Sequence, residues 1–338
     1  MTIQVYHLER LNNPARKIAF SFHFLAKLGT VSASDLYDCR LVLRHFIEQS
    51  LDEKPLCGTP LIVGLAESGI LLSALLHQEA HQLGITTGWI CSTRRPATGI
   101  QFTERHSHQP AHILPVPASP VDELWLIEDE ITTGQTIFQV IRHLSSLTSV
   151  KMVRIFTLVD ARSDEQRTAF SELLNRDGIQ PLVHSLLEFH GFPTMECFDR
   201  KFLEESTLSP SLCTQESVDH WMLPVARPAL SVQTAPTLDA FDGLEGSLLV
   251  IGEAMDLAVR TLTRNPHLSI RHVTLSPWKI DHQNVFDRIQ INGRYYVYNL
   301  GEFQGPVHIL SDPFDHASAL SLQETMFERG YETKVLAG

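Results

Sequence analysis

From Leu124 to Thr136 the chain reads LWLIEDEITTGQT. Four large apolar residues without alternation suggest a strand buried on both faces, and the acids at its end have no place in a core. Adjacent carboxylates, here Glu128 and Asp129, suit the two hydroxyls of a vicinal diol. Thr132, Thr133, Gly134, Gln135 and Thr136 then open a helix. First-turn amides have no intrahelical partner, the hydroxyls add donors, and Gly134 permits a close backbone approach. Such a bend suits a phosphate monoester, the helix dipole adding ~0.3–1 kcal/mol at an exposed site. Together the residues read as a ribose clamp followed by a phosphate cup. A solvated acidic turn before a Thr-capped helix is the competing reading, but it needs neither two adjoining acids nor three threonines around a glycine.

The order of apolar strand, acid pair, two intervening residues (Glu130, Ile131) and Thr-Thr-Gly-x-Thr resembles the phosphoribosyl-diphosphate (PRPP) signature of type I phosphoribosyltransferases. The resemblance implies that Glu128 and Asp129 hold the ribose hydroxyls and that the loop Thr132 to Thr136 binds the 5′-phosphate, with Glu130 and Ile131 also counted as substrate-binding. It also implies a strand-to-helix turn contacting pyrophosphate, for which LIVGLAESG supplies Glu67, Ser68 and Gly69. Glu67 departs from the pattern, because a carboxylate there faces a polyanion unless it turns away or acts through magnesium. A plain strand-to-helix turn remains the alternative.

The family also carries a mobile basic loop. STRRPATGIQFTERHSHQPAH fits it, with Arg94, Arg95 and Arg105 to neutralise departing pyrophosphate and His106 or His108 to supply a proton. Guanidinium forks across two phosphate oxygens. A second reading of His106, His108 and His112 is metal chelation, although neighbouring cysteines and a clear fourth ligand are missing. Magnesium is implied as the cofactor, carried with PRPP rather than by a protein site of its own.

GLAESG, STRRP, FTERHSH, EDEITTG and, far downstream, TLSPW occur in the order found in phosphoribosyltransferase–TRSP proteins, bacterial two-domain proteins of tellurium-resistance and stress operons. The resemblance covers the chain from about residue 14 to its end. It implies a role in making a nucleoside-like metabolite. The tetrapeptide naming the second domain is Thr274-Leu275-Ser276-Pro277 here, so its arginine is missing, although Arg271 is near. VIGEAMD is a second strand running into a helix. Gly252, Glu253, Thr274 and Ser276 are the candidate site of that domain, against the alternative that its strand ends merely turn.

These residues need a scaffold, and the chain's patterning supplies one. Buried-strand runs (61–66, 86–95, 124–127, 152–160) alternate with helical patterns (68–84, about 135–147, 164–178), which predicts an α/β fold. The sheet is expected to be mostly parallel with helices on both faces, followed by a second, smaller α/β domain. Residues 96–120, with five prolines, read as a loop or long crossover, and KIAFSFHFLAKLG fits helix or strand. A Ser/Thr/Pro-rich stretch separates the halves. The expected division is a phosphoribosyltransferase domain over 1–205, a linker over 206–235 and a TRSP-like domain over 236–338.

The 338 residues carry a formal charge of -12, which excludes a general affinity for nucleic acid or anionic membrane. No run approaches a membrane span, and the five cysteines are scattered without a CxxC pair, as expected of reduced thiols in the cytoplasm. The expected partners are PRPP and an unidentified base or amine, in a homodimer, without nucleic acid or membrane. A non-catalytic PRPP sensor is the alternative function, and no helix-turn-helix pattern favours it. Neither a Walker loop nor GxGxxG supports an unrelated nucleotide-binding protein.

Overall fold

The computed structural model describes residues 4–11, 18–104, 111–117, 121–189, 212–213 and 241–337. The chain forms two compact units. One joins Met1–Leu41 to Thr234–Gly338, and the other is Val42–Gln233. The expected domain over 1–205 is therefore divided at its start. The expected linker lies outside the described residues, apart from 212–213.

In the first unit, β1 (Val5–Glu9) and β2 (Ile18–Phe22) form an antiparallel pair, so the ambiguous KIAFSF segment is a strand. A two-residue strand, β3 (Val31–Ser32), precedes α1 (Ala33–Glu53), within which the division between the units falls.

The second unit is built on β4 (Pro60–Gly64), α2 (Ser68–Gln82), β5 (Gly88–Cys91), β6 (Gly99–Thr103), β7 (Ala111–Leu114), β8 (Glu123–Ile131), α3 (Gln135–Leu147), β9 (Met152–Asp160), α4 (Asp164–Arg176) and β10 (Gln180–Glu188). Strands β10-β9-β8-β4-β5 form a parallel sheet in that order. β9 is buried at every position, which explains its unalternated sequence. The helices follow their strands as the periodicity predicts, and α4 carries a Ser163–Gln166 capping box. Residues 96–120 hold a strand pair rather than only a loop: β6 and β7 are antiparallel, and β11 (Leu212–Cys213) adds to β6.

Glu123 and Arg154 lock the lower ends of β8 and β9. Both side chains are fully buried, with Arg154 Nε donating to Glu123 Oε1 over 2.6 Å. Trp125 Nε1 and the Cys57 amide also donate to Glu123, and the guanidinium reaches the carbonyls of Ser50, Lys54 and Pro55. One ion pair thus satisfies the end of α1 and fixes it under the sheet.

The remainder of the first unit contains β12 (Gly246–Ile251), α5 (Met255–Arg264), β13 (Leu268–Val273), β14 (Arg288–Ile291), β15 (Tyr295–Tyr298), β16 (Val307–Ser311), α6 (His316–Glu328) and β17 (Thr333–Ala337). Its sheet runs β17-β16-β12-β13-β3, parallel except for β3, which pairs antiparallel with β13.

Candidate active site

Strand order sets where a ligand can enter the second unit. β5 lies on one side of β4 and β8 on the other, so the connections diverge between β4 and β8. In an open parallel sheet the crevice beyond the carboxyl ends of such a pair is the binding position. β4 pairs with β8 only from Pro60–Glu123 to Gly64–Ile127, whereas β8 continues to Ile131 against β9 alone. Glu128, Asp129 and Glu130 therefore belong to the strand, not to a turn after it. They occupy its upper end, where β4 has stopped.

Two glycines bring the β4 turn against this step. A Cβ on Gly64 would lie 2.2 Å from Ser73 Oγ and 2.4 Å from the Gly69 carbonyl oxygen. A Cβ on Gly69 would lie 3.2 Å from the Ile127 carbonyl oxygen, immediately before Glu128. The start of α2 thus crosses the end of β4 in backbone contact. The Ala66–Glu67 peptide is cis. Glu67 is half-buried, whereas Ser68 and Gly69 are buried.

Glu128 and Asp129 are brought together. The Asp129 amide donates to Glu128 Oε1 over 3.2 Å. Burial raises the Glu128 carboxyl well above the usual carboxylate range. The Asp129 charge and a hydrogen bond to its side chain add to this, as does the charge of Glu104. The two neighbouring carboxyls thus oppose one another's ionisation.

Thr132 to Gly134 connect β8 to α3. Gly134 has φ +82° and no side-chain cap follows from it. The close approach that its missing side chain allows is to protein: a Cβ would lie 3.0 Å from Phe170 Cδ2. Thr133 and Gln135 are buried, and the Gln135 amide donates to Thr133 Oγ1 at 3.3 Å. The expectation that every amide and hydroxyl of the bend faces a ligand is thus corrected for these two. Thr132 and Thr136 are half-buried.

Arg162 lies behind the bend. It forks onto Asp160 at 2.9 and 2.8 Å and stacks on Phe170.

The basic segment differs from a free loop. Arg94 Nη2 donates to Glu104 Oε2 over 3.0 Å, and Arg95 is buried with its amide bonded to Thr93 Oγ1. Arg105, His106 and His108 lie outside the described residues. His112 is buried in β7, stacked on Phe102, with Ser92 Oγ 3.1 Å from Nδ1. Its Nε2 is 3.2 Å from both Arg94 Nε and Glu104 Oε2. Burial lowers the His112 pKa, an effect only partly offset by the hydrogen bond to Glu104. Glu104 and the Ser92–His112 contact were not anticipated, since spacing does not reveal which residues a hairpin sets opposite one another.

In the first unit, Gly252 and Thr274 follow the paired positions Ile251 and Val273, so the sheet does set those segments side by side. Thr274 is fully buried, however, its Oγ1 accepting from the Ser276 amide, and the Ser276 carbonyl accepts from Tyr298. Leu275, in place of an arginine, packs on the apolar core. Arg271 is no substitute for it. Its buried guanidinium bonds Glu302 at 2.7 Å and the carbonyls of Tyr298 and Asn299.

A family model described as phosphoribosyl transferase matches residues 8–190, more than half of the chain. No curated protein matches. Among solved structures, APRTase from Giardia lamblia complexed with 9-deazaadenine is similar at 15% identity and a TM-score of 0.39, covering 55% of this chain and 94% of that one. Adenine phosphoribosyl transferase from Trypanosoma brucei, in complex with AMP, pyrophosphate and ribose-5-phosphate, gives 14% identity and a TM-score of 0.33. It covers 54% of this chain and 87% of that one. The Saccharomyces cerevisiae enzyme gives 17%, 0.35, 53% and 94% in the same order.

Proposed function

The chain belongs to the phosphoribosyl transferase family, and from that premise we propose that it transfers the phosphoribosyl group of PRPP to a nitrogenous acceptor, releasing pyrophosphate. The observation carrying this reading is the placement, at one divergence of the sheet, of an adjacent carboxyl pair, a hydroxyl-bearing bend at a helix start and a glycine-built turn.

Glu128 and Asp129 hold the ribose hydroxyls, and the bend from Thr132 to Thr136, through Thr132, Gly134 and Thr136, receives the 5′-phosphate. The turn Glu67-Ser68-Gly69 and Arg94 receive the pyrophosphate. As the anomeric carbon–oxygen bond breaks, positive charge grows on the ribose ring. Carboxylates already aimed at that ring stabilise the transition state more than the ground state. Among the described residues no group of three or more His, Cys, Asp or Glu side chains is gathered into a metal cage. Magnesium commonly binds through one or two carboxylates and substrate phosphates, so Asp129 and Glu67 fit it as oxygen donors beside PRPP. When bound, it offsets charge on the leaving group.

The order of motifs supports assigning the C-terminal part to the TRSP type, from which Leu275 departs in standing where that type has an arginine. It also supports a role in making a nucleoside-like metabolite linked to stress or tellurium resistance, by a homodimer in the cytoplasm. Among the described residues no helix is long and apolar enough to cross a membrane.

Calorimetry of PRPP binding to the full chain, with and without magnesium, tests the reading. Saturable, magnesium-dependent heat that disappears in Asp129→Asn is expected. A flat titration of the native protein overturns it.

A further inference from the structure

We propose that His112 is a positioning residue for Arg94 and that Glu104 is the counter-ion from which Arg94 must part to hold pyrophosphate. This rests on the phosphoribosyl-transfer reading of the site.

The geometry gives His112 Nε2 two mutually exclusive partners. Arg94 Nε–H donates to it over 3.2 Å only when Nε2 presents a lone pair. Glu104 Oε2, also at 3.2 Å, is bonded only when Nε2 carries the proton. Ser92 makes both states available to a neutral imidazole. With the proton on Nδ1, the ring donates to Ser92 Oγ, 3.1 Å away. With the proton on Nε2, the Ser92 hydroxyl turns and donates to Nδ1. In either state Ser92 Oγ still accepts the Ala66 amide over 2.9 Å. The ring itself is held by stacking on Phe102, so only the proton and hydroxyl move.

The consequences run to both sides of the candidate pyrophosphate position. Ala66 precedes Glu67 in the β4 turn, whereas Arg94 and Glu104 flank the hairpin strand β6. Glu104 draws the guanidinium to itself while its charge bears on Glu128. An incoming polyanion competes for Arg94. As Arg94 leaves, His112 Nε2 loses its donor, binds a proton from solvent in exchange for the one that Nδ1 releases to solvent, and holds Glu104 back from the anion. The residue thus keeps the carboxylate from following the arginine.

Binding of inorganic pyrophosphate and of ribose 5-phosphate, each with magnesium, to the full chain tests this. Glu104→Gln should tighten pyrophosphate binding about fivefold, with little effect in an Arg94→Ala background. His112→Phe keeps the stack on Phe102 and should weaken pyrophosphate about fivefold, leaving ribose 5-phosphate unchanged, and His112→Gln should recover part of the loss. Should His112→Phe fail to fold, the Glu104–Arg94 cycle decides alone. Equal effects of Glu104→Gln in both backgrounds, or no effect, overturn the proposal while ribose 5-phosphate binding leaves the phosphoribosyl reading standing. Failure of ribose 5-phosphate to bind the native protein overturns that reading instead.

Discussion

The Asp129 amide donates to Glu128 Oε1 over 3.2 Å, which folds one carboxyl back onto its neighbour at the open end of β8. Glu130, the next acid, has its strand partner on β9 at Val159. Asp129→Asn removes a charged acceptor from the pair, and hydrogen bonds to charged groups are worth ~1.5–3 kcal/mol. PRPP affinity should fall at least about tenfold, whereas Glu130→Gln should change it by less than about twofold. Calorimetry on both variants measures the contrast, and equal losses would remove Asp129 from the clamp.

Gly134→Ala should damage the bend from within. Its φ of +82° costs an alanine ~1–2 kcal/mol, and the new methyl meets Phe170 at 3.0 Å. Denaturant unfolding should show a loss of at least that size, and phosphate affinity should drop with it. A variant of native stability would mean that Phe170 and Arg162 yield without strain.

Glu123→Ala leaves Arg154 buried and unpaired, a change worth about 3–5 kcal/mol of stability. Acid should produce a milder version of the same loss. Burial raises the Glu123 pKa, but bonds from Arg154, the Cys57 amide and Trp125 bring it below the ordinary value. Asp160 is likewise lowered, burial being outweighed by Arg162 and Arg167. A depressed carboxyl pKa gives stability that is complete above the unfolded value, about pH 4–4.5, and is lost as pH falls through the folded value. Unfolding followed by circular dichroism from pH 6 downwards should show this in the native protein.

His77 titrates in the opposite environment. Burial lowers its pKa to about 4, with His81 adding to the shift, while Thr87 Oγ1 lies 2.7 Å from Nδ1 and Trp89 stacks on the ring. The unfolded imidazole takes up its proton near pH 6.5, so stability declines as pH falls from 6.5 towards 4, by on the order of 3 kcal/mol. His77→Gln should flatten the slope of stability against pH in that window. An unchanged slope would mean that another group carries it.

The apolar runs that became β4, β8 and β9 were legible because a strand buried on both faces tolerates no alternation. The acids and threonines were legible as chemistry, since nothing in a core explains them. Arg94 and Arg95 were legible as charges but not as occupants of particular bonds. Their setting depends on β6 and β7 pairing across prolines, and on Phe102 falling opposite His112. Glu104 has no local signal at all. Its importance comes from a fold that sets it beside His112 and Arg94 and within electrostatic reach of Glu128.

The pairing of β3 with β13 joins residues 31–32 to 269–270 in one sheet. The unit they share is consequently discontinuous in sequence, with Val42–Gln233 inserted between its two segments. During synthesis the inserted body is complete while its host still awaits its last hundred or so residues, so the host must fold last. An excised fragment beginning near residue 236 would leave one edge of β13 bare and open to self-association. Keeping the opening forty residues, rejoined by a short spacer, would restore that edge.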